Sequence, residues 1–358
     1  MAVAEIDALK QEAFGGQLIS MLNGASLTLL ASIGHETALF DTMSRMPAST
    51  SADVATAAGL DERYVREWLG GMVAGRLVDF DPKTHTYWLP PEHAAFLTRE
   101  AGTDNLAFFS QYFGLIAGVQ EDVVRAFRQG GGVPYSSYPR FQELQAEETT
   151  RVFDAALIDT IVPLIPDGLE RLEAGAEVLD VGCGHGHAIN LLAKRFPAST
   201  FLGIDISAGG IAAATAEAKS LQLRNARFDV IDATEVRSNY DIITAFDVIH
   251  DLAHPAEVLG VLATSLNDGG TFLMSEVAAS GNLEQDSEHP LAATLYAFSL
   301  FHCMTVSLAQ GGAGLGAMWG EAAAREMLNK AGFEAITVEH VDGDIVNAYY
   351  ICRAGARS

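Results

Sequence analysis

The feature that most constrains the fold is a regular alternation of strand-like and helix-like segments after Gly168. Such alternation predicts a mostly parallel sheet with right-handed crossovers and helices on both faces, an α/β Rossmann-like architecture. The last two predicted strands flank a Val-Asp-Gly-Asp turn, which indicates a hairpin at one edge of the sheet. The strands are predicted over 177–182, 200–205, 226–231, 240–246, 271–277, 335–340 and 347–352.

The first 95 residues predict a different, mainly helical domain. Ser51 is a candidate N-cap, Gly59 a turn, and Asp61 the cap of a second helix that ends at Gly75. Two short apolar segments, 77–80 and 86–89, then flank an Asp-Pro-Lys-Thr turn that is typical of a hairpin. Two helices followed by a hairpin predict a winged helix.

Charge argues against a nucleic-acid partner for this winged helix. The second helix balances Arg63 and Arg66 against Asp61, Glu62 and Glu67. The whole chain has 22 Lys and Arg against 46 Asp and Glu, a formal net charge of -24. Binding to phosphate backbones needs clustered cations, so we expect the domain to mediate dimerisation or to cover a substrate instead.

A helical linker over 96–170 is predicted to connect this domain to the sheet domain at 171–358. The linker is interrupted by 129–141, QGGGVPYSSYPRF, whose glycines and prolines exclude regular structure. The sequence leaves two interpretations open, a tight interdomain turn capped by aromatic rings or a lid over a ligand. The lid would make Tyr138 a substrate contact.

The spacing of the cysteines and the length of the apolar stretches indicate whether to expect a metal site, a membrane span or export from the cytoplasm. The three cysteines have no spacing typical of a zinc site, so reduced thiols and no metal are predicted. The N-terminal MAVAEIDALK is unlike a signal peptide, and no uninterrupted apolar stretch approaches the ~20 residues of a membrane helix. The expected location is therefore the cytoplasm, without a membrane partner.

The segment EVLDVGCGHGHA, 177–188, combines a strand, a glycine-rich turn and a helix start. Gly182, Gly184 and Gly186 would let the backbone pass close to a ligand. A dinucleotide-binding fingerprint would require glycine at 187, where this chain has His187. We expect His185 and His187 to be solvent-facing and not to ligate a metal.

The pattern Asp180-x-Gly182-x-Gly184-x-Gly186 resembles the first motif of class I methyltransferases, which use S-adenosylmethionine. The resemblance implies that Asp205 accepts the ribose hydroxyls and that Asp232 and Ala233 lie near the adenine. Asp180 would shape the turn by accepting backbone donors, or would contact the methionine amine. The remaining residues expected around this cofactor are Cys183, Ile206 and Phe246.

The segment FDVIHDLAHP, 246–255, resembles small-molecule O-methyltransferases in which a His-Asp pair follows this strand. The same proteins carry an N-terminal winged-helix dimerisation domain, so a homodimer is implied. The resemblance makes His250 the general base, oriented by Glu276, with Asp251 assisting the local geometry; histidine can accept a proton near neutrality. The structural alternatives are a His250 bonded to a backbone carbonyl and a Glu276 that is a solvated strand end.

The acceptor side departs from that family. Glu321 is a poor match for the second acid that should flank the histidine, and the residues after Asp251 differ. His302, Cys303 and Trp319 lie where the family builds its acceptor wall. We therefore predict methyl transfer to a hydroxyl or thiol of a small molecule. An S-methyltransferase specialised for small thiols and a winged-helix regulator that senses S-adenosylmethionine, which would need a basic recognition helix, are the alternatives.

Overall fold

The computed structural model describes residues 6–354. The first five residues, part of the segment judged unlike a signal peptide, lie outside the described residues. The chain forms two compact units, Met1–Ala117 and Gly118–Ser358. The segment 96–170 is therefore divided between the units.

The first unit is mainly helical with one short hairpin, which confirms the predicted winged helix. Its apolar core includes Val65, Trp68, Leu69 and Met72 along one face of the second winged-helix helix, and the Trp68 indole donates to the carbonyl of Leu30 at 2.8 Å. The elements are α1 Ala8–Glu36, α2 Leu39–Ser44, α3 Ser51–Ala58, α4 Glu62–Ala74, β1 Asp79–Asp81, β2 Thr86–Trp88, α5 Pro91–Leu97, a 3₁₀ segment Arg99–Asp104 and α6 Leu106–Ala117.

The caps of the two winged-helix helices lie where the sequence predicts them, with one exception. Asp61 accepts from the first backbone N–H groups of α4, and Gly75 is the C-cap of α4, as predicted. The N-cap of α3 is Thr50 rather than Ser51, because the Thr50 hydroxyl accepts from the Asp53 N–H in a reciprocal capping box. The prediction for Ser51 was wrong by one residue.

Two helical segments are apolar enough on average to be candidate membrane spans, although neither holds the uninterrupted apolar run of ~20 residues expected of a membrane helix. By length and composition alone, Ala8–Glu36 has a mean hydropathy of 1.3 and Ala292–Ala309 one of 1.4, and both qualify. In Ala8–Glu36 the polar residues Gln17, Ser20 and Asn23 lie between the apolar ones, so the segment is apolar on average without holding an uninterrupted apolar run. Along α1 many large apolar side chains are exposed.

The second unit begins with helices and continues as the alternating domain. Before the sheet lie α7 Gln120–Gln129, a 3₁₀ turn Tyr135–Ser137, α8 Phe141–Ala156, a π-helical turn Leu157–Ile161, a 3₁₀ turn Val162–Leu164 and α9 Gly168–Ala174. There follow β3 Glu177–Val181, α10 His187–Arg195, β4 Thr200–Asp205, α11 Ala208–Ser220, β5 Ala226–Val230, β6 Tyr240–Phe246, α12 Pro255–Thr264, β7 Leu266–Val277, α13 Leu283–Asp286, α14 Ala292–Phe298, a π-helical turn Ser299–Cys303, α15 Met304–Ala309, α16 Glu321–Ala331, β8 Phe333–Glu339 and β9 Asn347–Ala354.

The sheet has seven strands in the order β5-β4-β3-β6-β7-β9-β8. Strands β3 to β7 are parallel, whereas β9 runs antiparallel to both β7 and β8, which confirms the α/β prediction and the edge hairpin. Two large apolar clusters involve the sheet, one including α12 and α16, the other α10 and α11. The carboxyl ends of the parallel strands share one edge, where an open α/β sheet binds its ligands.

The glycine-rich loop at 129–141 packs inside the second unit. The Val133 N–H donates to the carbonyl of Thr305 at 3.2 Å and to its hydroxyl at 2.9 Å, and the Tyr138 hydroxyl donates to the carbonyl of Phe301. Because the units divide after Ala117, the interpretation as an interdomain turn is wrong.

Candidate active site

A cavity of about 530 Å³ opens at the carboxyl ends of β3, β4, β6 and β7. The glycine-rich turn after β3 forms its floor, and one face of α8 runs along its side. Its lining residues include all ten of the expected cofactor contacts, Asp180, Gly182, Cys183, Gly184, Gly186, Asp205, Ile206, Asp232, Ala233 and Phe246.

The three glycines of the turn have positive φ angles of 69° at Gly182, 53° at Gly184 and 71° at Gly186. A Cβ on Gly182 would lie 2.5 Å from Val248, and one on Gly186 would lie 2.5 Å from Ala214. A Cβ on Gly184 would meet nothing within 4 Å. The outer two glycines are therefore required by packing, and open space for a ligand lies at Gly184.

Asp205, rather than Asp180, holds the turn. The two carboxylate oxygens of Asp205 accept from the Gly184 N–H at 2.9 Å and from the Ser207 N–H at 2.7 Å. Asp180 accepts no backbone donor among the described residues; its partner is the Thr244 hydroxyl at 2.6 Å. The first of the two roles expected for Asp180 is therefore wrong, because β4 ends close enough for its own acid to reach the turn.

Asp180 is only 3% exposed, and this burial raises its pKa to about 7. A buried carboxyl of this kind is stabilised in its charged form by a nearby cation. The second expected role, contact with the methionine amine, fits that environment.

Two apolar residues that follow β4 and β5 line one end of the cavity. Ile206 is 57% exposed, whereas Ala233 is buried. Asp232 caps the turn after β5 by accepting from the N–H of Thr234 at 2.9 Å and from its hydroxyl at 2.6 Å, and these hydrogen bonds lower the pKa of Asp232. At the other end, Phe246 packs edge-on against Phe153.

The two histidines of the glycine-rich turn line the cavity, but His187 is not solvent-facing as expected. Its ring nitrogens lie 2.9 Å from Glu217 and 3.0 Å from Asp154, and its side chain is only 14% exposed. His187 therefore links α10 to α11 and α8. The sequence pattern could not show this, because both acids come from distant helices.

His250 and Glu276 form a buried pair. His250 Nδ1 lies 2.5 Å from Glu276 Oε2, which also accepts from the Trp319 indole at 3.0 Å. The other carboxylate oxygen accepts from the Ile249 N–H at 3.0 Å, and Glu276 is 1% exposed. Both structural alternatives are wrong: Glu276 is not solvated, and the partner of His250 is a carboxylate rather than a carbonyl.

The environment of His250 raises its pKa well above the usual 6.5. Burial acts in the opposite direction, but the negative charges of Glu276 and Asp251 outweigh it. His250 Nε2 lies 3.4 Å from Asp251 Oδ1.

Asp251, and not His250, belongs to the wall of the cavity. Its second oxygen accepts from the Tyr135 hydroxyl at 3.2 Å. Asp251 thus stands between the cavity and the buried pair of His250 and Glu276. The sequence assigned it a local geometric role and did not indicate this position.

None of the four expected substrate contacts is among the described lining residues. His302 is buried behind the wall, stacked on Phe141 with ring centroids 3.8 Å apart, and burial lowers its pKa to about 4. Burial raises the pKa of Cys303, beside His250, to about 11. Tyr138 and Trp319 donate to Phe301 and Glu276 as described above. The wall is formed by Tyr135 and Phe141 instead.

One group of ligand-type atoms lies in the described part of the chain. A ring nitrogen of His250, a carboxylate oxygen of Asp251 and the sulfur of Cys303 all lie within 4.8 Å of one another. The absence of a metal stays a prediction.

Several lining residues were not anticipated, namely Glu148 on α8, Asp247 after β6, Ser275 on β7, and Asn347 and Tyr349 on β9. An acid directly after a strand was a usable signal for Asp247. No signal existed for the residues of β9, since only the antiparallel pairing with β7 brings them to this edge.

The sequence matches two families over most of its length. Residues 25–99 match the family described as "Rv2258c-like winged HTH domain", and residues 172–341 match the family described as "Methyltransferase domain". The chain therefore carries an N-terminal winged helix-turn-helix domain followed by a methyltransferase domain.

Known relatives agree with this assignment. A trans-aconitate 2-methyltransferase of Deinococcus radiodurans is 34% identical over 123 residues, which are 34% of this chain and 45% of that protein. The chain spans about half the length of the curated relatives it matches. Human N-acetylserotonin methyltransferase, solved in complex with S-adenosylmethionine, superposes with a TM-score of 0.67 at 17% identity over 99% of this chain and 100% of that one. An O-methyltransferase family protein of Burkholderia thailandensis gives 0.68 at 17% over the same shares. The whole chain shares their fold.

Proposed function

We propose that the protein is an S-adenosylmethionine-dependent methyltransferase that acts on a hydroxyl or thiol of a small molecule. The observation that carries this proposal is one cavity in which a glycine turn held by Asp205 adjoins Asp251 and the buried pair of His250 and Glu276. A cofactor site and a proton-accepting site thus meet at one sheet edge.

The cofactor-side residues fit S-adenosylmethionine. When bound, that molecule supplies a methyl group on a positively charged sulfur. The open space at Gly184 leaves room beside the turn, and Asp205 retains lone pairs for two ribose hydroxyls. Asp180 would hold the ammonium of the methionine part, and Ile206 would cover one face of the adenine.

On the acceptor side we assign His250 as the general base. Removal of a proton makes an oxygen or sulfur a far better nucleophile, and Glu276 stabilises the imidazolium that results. Because Asp251 stands between the cavity and His250, the proton reaches Nε2 through the Asp251 carboxylate. A cation bound in the cavity would reduce the stabilisation that the negative charge of Asp251 gives to protonated His250. The pKa of His250 would then fall toward neutrality.

A direct test is a screen of matched phenols, thiols and carboxylic acids with S-adenosylmethionine, measured as release of S-adenosylhomocysteine. We expect release with at least one phenol or thiol, and a purely thiol response would favour the specialised S-methyltransferase. Release only with carboxylic acids, or with none of the three classes, would contradict the proposal.

A regulator that senses S-adenosylmethionine is the weaker candidate. On α4, Arg63 pairs with Glu67 at 2.5 Å and Arg66 lies 3.5 Å from Glu62, so the cations of this helix are already balanced. Such a helix does not provide the clustered charge that DNA binding needs. We accordingly propose a small-molecule acceptor, without a nucleic-acid or membrane partner, and action in the cytoplasm.

We further propose a homodimer in which α1 takes part. Apolar side chains are exposed along this helix, among them Leu18 at 43%, Ile19 at 63% and Leu22 at 71%, and exposed apolar surface of this extent is typical of an interface. We expect a dimer by light scattering, and a monomer for the double substitution Ile19→Glu and Leu22→Glu. The exposed Lys10→Glu, on the same helix, is the matched control; a wild-type monomer would contradict the proposal.

A further inference from the structure

The cavity wall is strongly acidic. Six carboxylic acids line it, whereas no lysine or arginine is found among its described lining residues. Low-dielectric walls with charges of one sign concentrate the electric field, so the cavity attracts cations and repels anions. The acids are Glu148, Asp180, Asp205, Asp232, Asp247 and Asp251.

Four of these acids already have a role. Asp180, Asp205 and Asp232 lie at or just beyond the carboxyl ends of β3, β4 and β5 on the cofactor side, and Asp251 adjoins His250. Asp247 follows β6 and is used by neither the cofactor nor the base. In the strand order, β7 and β9 lie beyond β6, on the side away from β4 and β5. The wall around Asp247 therefore lies away from Asp205 and Asp232, on the side of β7 and β9.

Asp247 is held in a constrained position with an unused acceptor atom. Its φ is 54°, a left-handed conformation in which a Cβ is disfavoured, and its N–H donates to the Ser275 carbonyl at 3.0 Å. Its Oδ1 is buried and accepts no hydrogen bond from any described residue. Burial raises its pKa to about 7, although the charge of nearby His250 acts in the opposite direction.

A second unused acceptor atom lies on the same wall. Asn347 Oδ1 is buried without a partner in the described chain, while the Asn347 amide nitrogen donates to Asp344 at 3.1 and 3.3 Å. That donation fixes which atom of the amide is the acceptor. Ser275 and Tyr349 complete this part of the wall, which we call the Asp247 lobe.

We propose that the Asp247 lobe binds an ammonium group of the acceptor, so that the protein methylates small amine-bearing alcohols, phenols or thiols and discriminates against carboxylic acids. This inference rests on the proposed methyl transfer. An ammonium offers three donors, which suits the unused oxygens of Asp247 and Asn347, whereas a carboxylate has no donor to offer them and is repelled by the negative charge of the wall. A preference for amines would distinguish this protein from the relatives named trans-aconitate 2-methyltransferase, because trans-aconitate is an anion.

The test uses acceptors that differ only in charge, at pH 8 with saturating S-adenosylmethionine. The thiol set is cysteamine, 2-mercaptoethanol and 3-mercaptopropionate; the phenol set is tyramine, tyrosol and 4-hydroxyphenylpropionate. In the responsive set we expect kcat/KM to be about tenfold or more higher for the amine than for the acid, because a charge-assisted hydrogen bond is gained. Asp247→Asn should reduce this ratio at least about fivefold. Asparagine tolerates a positive φ, so the variant should keep the fold.

The matched control is Asp268→Asn, the same loss of charge at an exposed site near the opposite end of β7, which should leave the ratio unchanged. Equal or greater activity with the acids, or an unchanged ratio in Asp247→Asn, would overturn the proposal. So would a loss of S-adenosylmethionine affinity in that variant without a change of the ratio, since it would assign Asp247 to the cofactor.

Calorimetry on the complex with S-adenosylhomocysteine gives a second measure that needs no turnover. We expect tyramine or cysteamine to bind at least about tenfold more tightly than the matching acid, and Asp247→Asn to reduce that difference. Absence of binding by either amine would overturn the inference. An amine could bind more tightly than the matching acid, and lose that advantage in Asp247→Asn, while no acceptor in either set causes release of S-adenosylhomocysteine. That result would support ammonium binding by the Asp247 lobe and contradict the proposed methyl transfer.

Discussion

Replacement of His250 by asparagine should lower kcat by about 10²- to 10⁴-fold, the usual contribution of a positioned general base. Asparagine can still donate to Glu276, which is 1% exposed and would otherwise lose a partner in the interior. The substitution should therefore remove the proton acceptor without leaving a buried carboxylate unpaired. Binding of S-adenosylmethionine, measured by calorimetry, should stay within about threefold because the base lies behind the cavity wall.

The pH dependence of kcat/KM shows whether the protonated or the neutral form of His250 is active. Glu276 and Asp251 raise the pKa of His250 above 6.5, so the protonated, inactive form predominates at low pH. We expect kcat/KM of the wild type to rise with pH through a midpoint above 6.5 and to level off where His250 is neutral. In His250→Asn this rising limb of the plot of kcat/KM against pH should disappear.

The matched control is His340→Ala, at an exposed histidine outside the cavity, which should keep both the rate and the limb. Full turnover by His250→Asn would remove His250 from the base role. A limb that survives at the same midpoint would transfer the titration to another group, of which Asp247, with a pKa of about 7, is the first to test.

Replacement of Asp205 by alanine should weaken S-adenosylmethionine binding by about 100-fold or more. The carboxylate is expected to accept the two ribose hydroxyls, and hydrogen bonds to a charged group contribute about 1.5 to 3 kcal/mol each. The loss is enlarged because Asp205 also accepts from the Gly184 and Ser207 N–H groups, so the turn loses its anchor. Affinity is measured by calorimetry, with thermal unfolding to confirm the fold.

Asp205→Asn separates the two roles, because the amide oxygen can still accept one backbone N–H while the charge is lost. We expect an affinity between those of the wild type and the alanine variant. Asp268→Ala, exposed and outside the cavity, should bind normally. An unaltered affinity in Asp205→Ala would contradict the ribose assignment.

Much of the cofactor side could be predicted from sequence because its signals are local. The strands 240–246 and 200–205 were predicted with the bounds that the structure has, and the glycine turn follows β3 directly. Residues that end parallel strands converge by topology alone, so Asp205, Asp232 and Phe246 come together without knowledge of packing.

The acceptor side could not be predicted in the same way, because its contacts join distant segments. Trp319 was expected in the cavity wall, but it lies in the loop before α16 and its indole donates to Glu276. His302, also expected in the wall, is stacked behind Phe141. Tyr135 was not singled out, yet it lines the cavity and its hydroxyl donates to Asp251 at 3.2 Å. Such pairings depend on how helices pack, which periodicity does not specify.

The sequence by itself determined a winged helix followed by a Rossmann-like sheet, the glycine turn and the His250 motif, because these follow from periodicity, caps and residues adjacent in the chain. Only the tertiary structure decided that Asp205 anchors the turn, that Asp251 rather than His250 faces the cavity, and that Asp247 and Asn347 share one wall. The physical reason is that burial and hydrogen-bond partners are properties of side chains from separate strands, and they exist only once those strands pair.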